Sequence, residues 1–224
     1  MAVIALSLFG SRARGDNNSN SDVDLLAVVD DNTMKSKSIS KSNFAFYPIA
    51  FIENMFKSGD LFALHLKMES ITIYDPTKVM DRLKNSFMYK STYYNERNNA
   101  IDAGYLLIRM LKNGRDIHDI NKKLSWCVRT ILIAESAELR APKFSIDSLA
   151  AENEEIRALI RIKDSPRPET HIIPTFEKFI TQINERSSAL IPNDADDLIE
   201  YFKLNNNTMA LKILGYNRRI TSPY

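Results

Sequence analysis

The 224-residue chain has one cysteine, three histidines and six glycines. The lone thiol, Cys127, excludes an internal disulfide framework and any multi-cysteine zinc cage. His65, His118 and His171 are too widely spaced in the sequence to suggest a zinc site. An excess of one charge is missing too: 30 Lys and Arg face 28 Asp and Glu, a net charge of +2. Residues 1–90 carry 11 basic and 10 acidic side chains, and residues 91–224 carry 19 and 18, so neither part hides an excess. A protein that grips long duplex DNA by neutralising phosphates shows a larger one. No apolar run is long enough to cross a bilayer, and the apolar start Ala2–Phe9 lacks the basic segment of a signal peptide. The expected address is the reducing cytoplasm, with no membrane partner. Glycine makes up about 3% of the chain where about 7% is usual, yet Gly10 and Gly15 fall within six residues of each other. The N-terminal region needs backbone freedom that the rest does not.

Residues 2–9 (AVIALSLF) form a continuous apolar run closed by Gly-Ser, as a strand buried on both faces would be. Residues 15–21 are polar and turn-rich, a loop. Residues 22–29 (DVDLLAVV) read as a second strand with an acidic start. A polar stretch over 30–43 leads to a third short strand at Phe44–Tyr47. Pro48 sits where a helix can begin, and IAFIENMF has helical spacing up to Gly59. Residues 61–68 read as another helix and Ile71–Tyr74 as a strand. After Asp75-Pro76 the character changes: 77–112, 117–139, 145–163, 170–188 and 194–214 all carry apolar residues at three- and four-residue spacing. In the second of these, Ile117, Ile120, Leu124, Val128, Ile131 and Leu132 share a face, and Ser145 can cap the third. The expected class is α/β (α+β): a small mixed-sheet domain over 1–76, then an all-helical bundle over 77–224.

The chemistry is concentrated in LFGSRARGDNNSNSDVDLLAVV, residues 8–29. In a strand, residues two apart point to one face, so Asp22 and Asp24 present two carboxylates side by side at a strand end. Two such charges are costly together unless a cation joins them, and oxygen ligands with open positions suit Mg²⁺ carrying a nucleoside triphosphate. Gly10 lets the backbone approach a phosphate, and Ser11 offers a hydroxyl at a helix start. Arg12 and Arg14 add positive charge suited to triphosphate oxygens. A Gly-Ser turn or a DxD alone is usually structural. The two in order, each at the end of an apolar strand with two arginines beside the turn, point to a nucleotide site.

LFGSRARGD…SDVDLL resembles the signature of the DNA polymerase β superfamily of nucleotidyltransferases, in particular its minimal nucleotidyltransferase branch. The resemblance covers about residues 3–75. It implies a mixed sheet flanked by helices, dependence on Mg²⁺ as one or two ions, and transfer of a nucleoside monophosphate from an NTP to a hydroxyl with release of pyrophosphate. Carried over by position, Gly10, Ser11 and Arg12 hold the triphosphate, while Asp22 and Asp24 are the catalytic metal ligands. The helical half is similar in placement to the helical domain of kanamycin nucleotidyltransferase-like proteins and to helical partners of minimal nucleotidyltransferases. The acceptor hydroxyl could belong to a protein, an RNA or a small molecule. Protein or RNA is favoured, with a toxin–antitoxin or defence setting, because nothing suggests a dedicated antibiotic pocket. The apolar helices leave room for a homodimer or a helical partner protein.

One departure concerns a third carboxylate, which the family supplies from the middle of a following strand. The aligned position is Ala45, where no acid stands, so the activating metal or general base is open. Glu53, Glu69 and Glu135 are the nearest substitutes, Glu135 by analogy with a base on the second domain. For Glu135 a place on a solvated helix face is the plainer reading. His65 reads as a core or interface histidine, and Trp126 and Cys127 as core. Arg115-Asp116-Ile117-His118 invites comparison with the Arg…His motif of helical RNases, at a spacing that is too short. Residues 97–129 carry seven basic and three acidic side chains, a mild basic wall or an ordinary surface. Tyr93-Tyr94 reads as a stacking platform or as core. The alternative to an enzyme is a catalytically weak NTP-binding module that acts by holding a partner, which the alanine at 45 favours.

Overall fold

The computed structural model describes residues 2–17, 19, 21–115, 119–165, 170–183 and 191–216. They fall into two compact units, divided in the chain between Ser91 and Thr92. The sequence reading divides the chain after Pro76. The later division arises because helix α4, Val79–Ser86, packs with the N-terminal elements through buried Val79, Met80 and Leu83.

The first unit is built on a five-stranded mixed sheet, an α+β arrangement. Strand β1, Val3–Phe9, runs antiparallel to β2, Val23–Val29; β2 pairs in parallel with β4, Ser42–Pro48. Strand β3, Lys35–Ile39, lies antiparallel on the outer side of β4, and β5, Ile71–Tyr74, on the outer side of β1, giving the order β3-β4-β2-β1-β5. Strand β3 is a departure from expectation, since residues 30–43 read as an undivided polar stretch. Its sequence, KSKSI, is exposed throughout, so no buried face imposes an apolar alternation. Lysines on an exposed edge also discourage pairing with a foreign strand.

The expectation that β1 is buried on both faces is met only in part. Ala5 and Ser7 are fully buried while Leu6 and Leu8 are half-buried. The register Ala5↔Val28, Ser7↔Leu26 and Phe9↔Asp24 on one side, and Leu26↔Ala45 and Val28↔Tyr47 on the other, defines a single face. Phe9 and Tyr47 on that face meet Phe62 at ring-centroid distances of 5.4 and 5.7 Å. Phe62 belongs to α3, Leu61–Glu69, which follows α2, Ile49–Lys57. Pro48 precedes α2 as its N-cap, and Asp60 starts α3 by accepting from the Phe62 and Ala63 amides. Each large side chain sealed here, such as Leu26, Ile52, Phe56 or Leu64, contributes about 2 kcal/mol.

The segment 77–112 reads as one helix but contains two: α4 and α5, Tyr94–Lys112. No proline or glycine marks the break. Tertiary contacts make it: the Met88 amide donates to the Phe56 carbonyl at 3.2 Å, and Phe87 meets Phe56 edge-on.

In the second unit α5 packs with α6, Ile120–Glu138. Ile120, Leu124, Cys127, Val128, Ile131 and Ala134 are buried on α6, whereas Leu132 and Trp126 are half-exposed. Ile117 lies outside the described residues. Burial pushes the Cys127 thiol pKa up, so this cysteine is an inert core residue. Segment 145–163 divides into α7, Ile146–Ala150, and α8, Glu154–Arg161, with Ser145 capping α7 through the Ser148 amide. Helix α9, Ile173–Gln182, closes on α5 at Gly104, where a Cβ would stand 2.8 Å from Ile180 Cδ1. Segment 194–214 divides into α10, Ala195–Leu204, and α11, Thr208–Ile213, around Asn205-Asn206-Asn207. Asn207 caps α11 by accepting from the Ala210 amide. Among the described residues no helix is long and apolar enough to cross a membrane.

Gly59 turns the chain between α2 and α3. Its φ is +70°, and a Cβ there would stand 2.4 Å from the Met88 carbonyl oxygen and 2.7 Å from the Lys90 nitrogen. Backbone strain and a backbone clash coincide, so Gly59→Ala is expected to cost about 2–4 kcal/mol. A urea midpoint unchanged from wild type would show that the turn does not constrain this unit.

Candidate functional site

Strand β1 ends at Phe9, and the chain reverses through Gly10 into α1, the single turn Ser11–Arg14. Gly10 has φ +78°, a region that favours glycine, and space demands the same residue. A Cβ at Gly10 would lie 2.8 Å from Asp24 Oδ2. The Phe9↔Asp24 register of β1 and β2 causes this approach, so the Gly-Ser turn and the acidic strand start form one locus.

Within α1 the amides of Ala13 and Arg14 donate to the Gly10 carbonyl. The Ser11 and Arg12 amides precede the intrahelical pattern, as the first N–H groups of any helix do. Gly15 closes the turn in the left-handed conformation at φ +81°. The two arginines serve the turn itself. Arg12 Nη2 and Nε donate to the Ser21 carbonyl at 2.8 and 3.3 Å, tying α1 to the residue before Asp22. Arg14 Nη1 donates to Glu69 Oε2 at 2.6 Å and its Nε to Asp16 Oδ2 at 3.0 Å. Arg14 is thus held by two carboxylates, Glu69 and Asp16.

Asp22 is exposed and Asp24 half-buried. The side-chain amide of Asn43 on β4 joins them: Nδ2 donates to Asp22 Oδ2 at 3.3 Å and to Asp24 Oδ1 at 3.2 Å. The carboxylates therefore converge on one nitrogen, and their hard oxygen donors fit a divalent ion that keeps open positions for phosphate and water. Among the described residues no group of three or more His, Cys, Asp or Glu side chains could hold a metal ion. The register of β4 sets Asn43, rather than Ala45, beside the acids. Asn43 is the partner of Asp24, whereas Ala45 is the partner of Leu26, farther along the strand. Sequence reading missed Asn43; its signal is its place two residues before Ala45 on the same strand face.

The substitute bases are otherwise engaged or exposed. Glu53 is exposed on α2. Glu69 is held by Arg14, with His65 Nε2 at 2.8 Å. Glu135 pairs with Arg97 Nε at 2.9 Å inside the helical unit. His65 is buried against the Phe9 and Phe62 rings. The basic residues of 97–129 mostly tie the helical unit together: Arg109 donates to the Pro192 carbonyl, Lys112 pairs with Glu177, and Arg129 donates to the Phe144 carbonyl. Tyr93 is buried and Tyr94 exposed. Asp116, Ile117 and His118 lie outside the described residues.

A family model described as a nucleotidyltransferase domain matches residues 2–149. The chain belongs to the nucleotidyltransferase domain family. Membership makes it a transferase whose general reaction is movement of a nucleoside monophosphate. A nucleotidyltransferase-like protein from Exiguobacterium sibiricum, known from its crystal structure, aligns over 99% of this chain and 76% of its own. The identity is 11% and the TM-score 0.35, a level at which residue roles do not transfer. Among curated proteins none matches.

The link between α1 and α3 carries a pH dependence. Burial raises the Glu69 carboxyl, but hydrogen bonds from His65 and Arg14 outweigh it and hold the group below its ordinary value of 4.5. A carboxyl lowered in the folded state stabilises fully above its unfolded value, and loses that contribution as pH falls through the folded one. Glu69→Gln is expected to cost about 1–3 kcal/mol at neutral pH and to shrink the gap to wild type in acid. Parallel urea midpoints for the two proteins from pH 7 down to pH 3 would count against the assignment.

Proposed function

We propose that this protein is an Mg²⁺-dependent nucleotidyltransferase that moves a nucleoside monophosphate from an NTP to a hydroxyl of a protein or RNA acceptor. The observation that carries the reading is the close approach of Gly10 to Asp24, which joins an anion-binding turn to a pair of oxygen ligands in one place. Residues 1–76, with α4 packed on them, form the catalytic part, and the helices of the second unit hold the acceptor or a partner, in a toxin–antitoxin or defence setting.

Asp22 and Asp24 hold the nucleotide's metal. The metal, when bound, neutralises triphosphate charge and orients it. Gly10 admits a phosphate against the backbone, the Ser11 hydroxyl and leading amides of α1 donate to phosphate oxygens, and Arg12 adds positive charge while fixing the loop before Asp22. The acceptor oxygen bonds to the α-phosphorus as the bond to the β-bridging oxygen breaks. Pyrophosphate leaves, and the hydroxyl proton passes to a base. Positioning and charge neutralisation supply the rate.

A second reading has a specific observation behind it. The residue that β4 places against the acids is an amide, Asn43, and an amide cannot take a proton from a hydroxyl. A catalytically weak NTP-binding module that regulates a partner by binding it needs no such base.

Label transfer separates the two. The full chain is incubated with each α-labelled NTP and Mg²⁺ in cell extract, beside Asp22→Asn and Asp24→Asn, and the products are divided into protein and RNA. The transferase reading expects label on one class with wild type and at least a hundredfold less with either variant. Equal labelling by both variants would sink the site assignment. Mg²⁺-dependent NTP binding without label would leave the binding module in its place.

A further inference from the structure

Asn43 is held on both sides. The Ser38 hydroxyl on β3 donates to Asn43 Oδ1 at 2.8 Å, and Ser38 is the strand partner of Asn43. On the opposite side Nδ2 donates to both Asp22 and Asp24. Chemistry fixes the orientation independently. An ionised carboxylate only accepts hydrogen bonds, so an amide that faces two of them must present its NH₂. The side chain therefore turns its positive end toward the acids, and its only metal-ligating atom, Oδ1, faces Ser38 on the other side.

From this arrangement, and resting on the nucleotide-site reading above, we propose that Asn43 limits the site to one divalent ion, the one carried by the nucleotide. Two carboxylates balance the charge of one such ion. A second ion beside the first would find no further anionic ligand on β4 and would face the N–H end of an amide dipole. Ser38 acts as a positioning residue, because its hydroxyl keeps the amide from rotating its oxygen toward the acids. A carboxylate at position 43 would accept from Ser38 with one oxygen and offer the other to the pair, which supplies the charge for a second ion.

The count of bound metal reads this directly. The full-length protein is titrated with Mn²⁺ in the presence of non-hydrolysable α,β-methylene analogues of the four NTPs in turn, and protein-bound Mn²⁺ is counted by electron paramagnetic resonance after dialysis. Wild type is expected to hold one Mn²⁺ per chain, Asn43→Asp two, and Asn43→Ala one, with secondary structure of each checked by circular dichroism. Two Mn²⁺ on wild type overturns the proposal and leaves the nucleotide site standing. A folded Asn43→Asp that still holds one overturns it as well. No Mn²⁺-dependent binding of any analogue overturns the site reading on which it rests. Should Asn43→Asp fail to fold, the wild-type count, with Asn43→Ala as the uncharged reference, still decides.

Discussion

The space between Gly10 and Asp24 is too small for a Cβ, and the site depends on that contact. It follows from strand register. Because Phe9 pairs with Asp24, the residue after β1 lands on the carboxylate of β2, and only a glycine with positive φ fits there. A shift of one residue would turn Asp24 to the other face of the sheet and separate it from the turn. Register in turn is set by burial, since Ala5, Ser7, Leu26 and Val28 are sealed on one face. Core packing thus decides the position of a polar site at its edge.

The turn is fastened at a second point. Arg14 joins α1 to Glu69 at the end of α3, and His65, one helical turn before Glu69, lies against the same carboxylate and against the Phe9 ring. Removing one partner from such a network leaves a poorly solvated charge, so the members stand or fall together. Arg12 fastens the other end by closing on the Ser21 carbonyl. A one-turn helix has too few internal hydrogen bonds to persist alone. These side chains hold the turn in place from both ends.

Much of this was legible in the sequence. The apolar runs closed by Gly10 and opened by Asp22 mark β1 and β2, Pro48 and Gly59 bracket α2, and the apolar run 61–68 marks α3. Each is a local signal with a local cause. The divisions of the helical segments were harder. Asn205-Asn206-Asn207 carries turn chemistry, and Asn206 adopts φ +52°. The break between α4 and α5, by contrast, is made by Phe56 and Phe87 across the fold and leaves no breaker in the chain. Arg14 is unreadable from sequence for a similar reason: a guanidinium suits a phosphate and a carboxylate equally, and only the fold shows that Glu69 pairs with it.

Strand β3 and residue Asn43 were missed together, and one is the reason for the other. KSKSI has no apolar face because it is an exposed edge, so periodicity is silent about it. Without β3 nothing shows that a hydroxyl stands beside position 43, and without the parallel register nothing distinguishes 43 from 45 as the residue nearest the acids. The residue that stands beside Asp24 on β4 is Asn43, and Ala45 stands beside Leu26. The fold supplies a different kind of group, an amide whose orientation is settled by Ser38 on one side and two carboxylates on the other. The edge strand with the weakest sequence signal thus controls the electrostatics of the strongest motif in the chain.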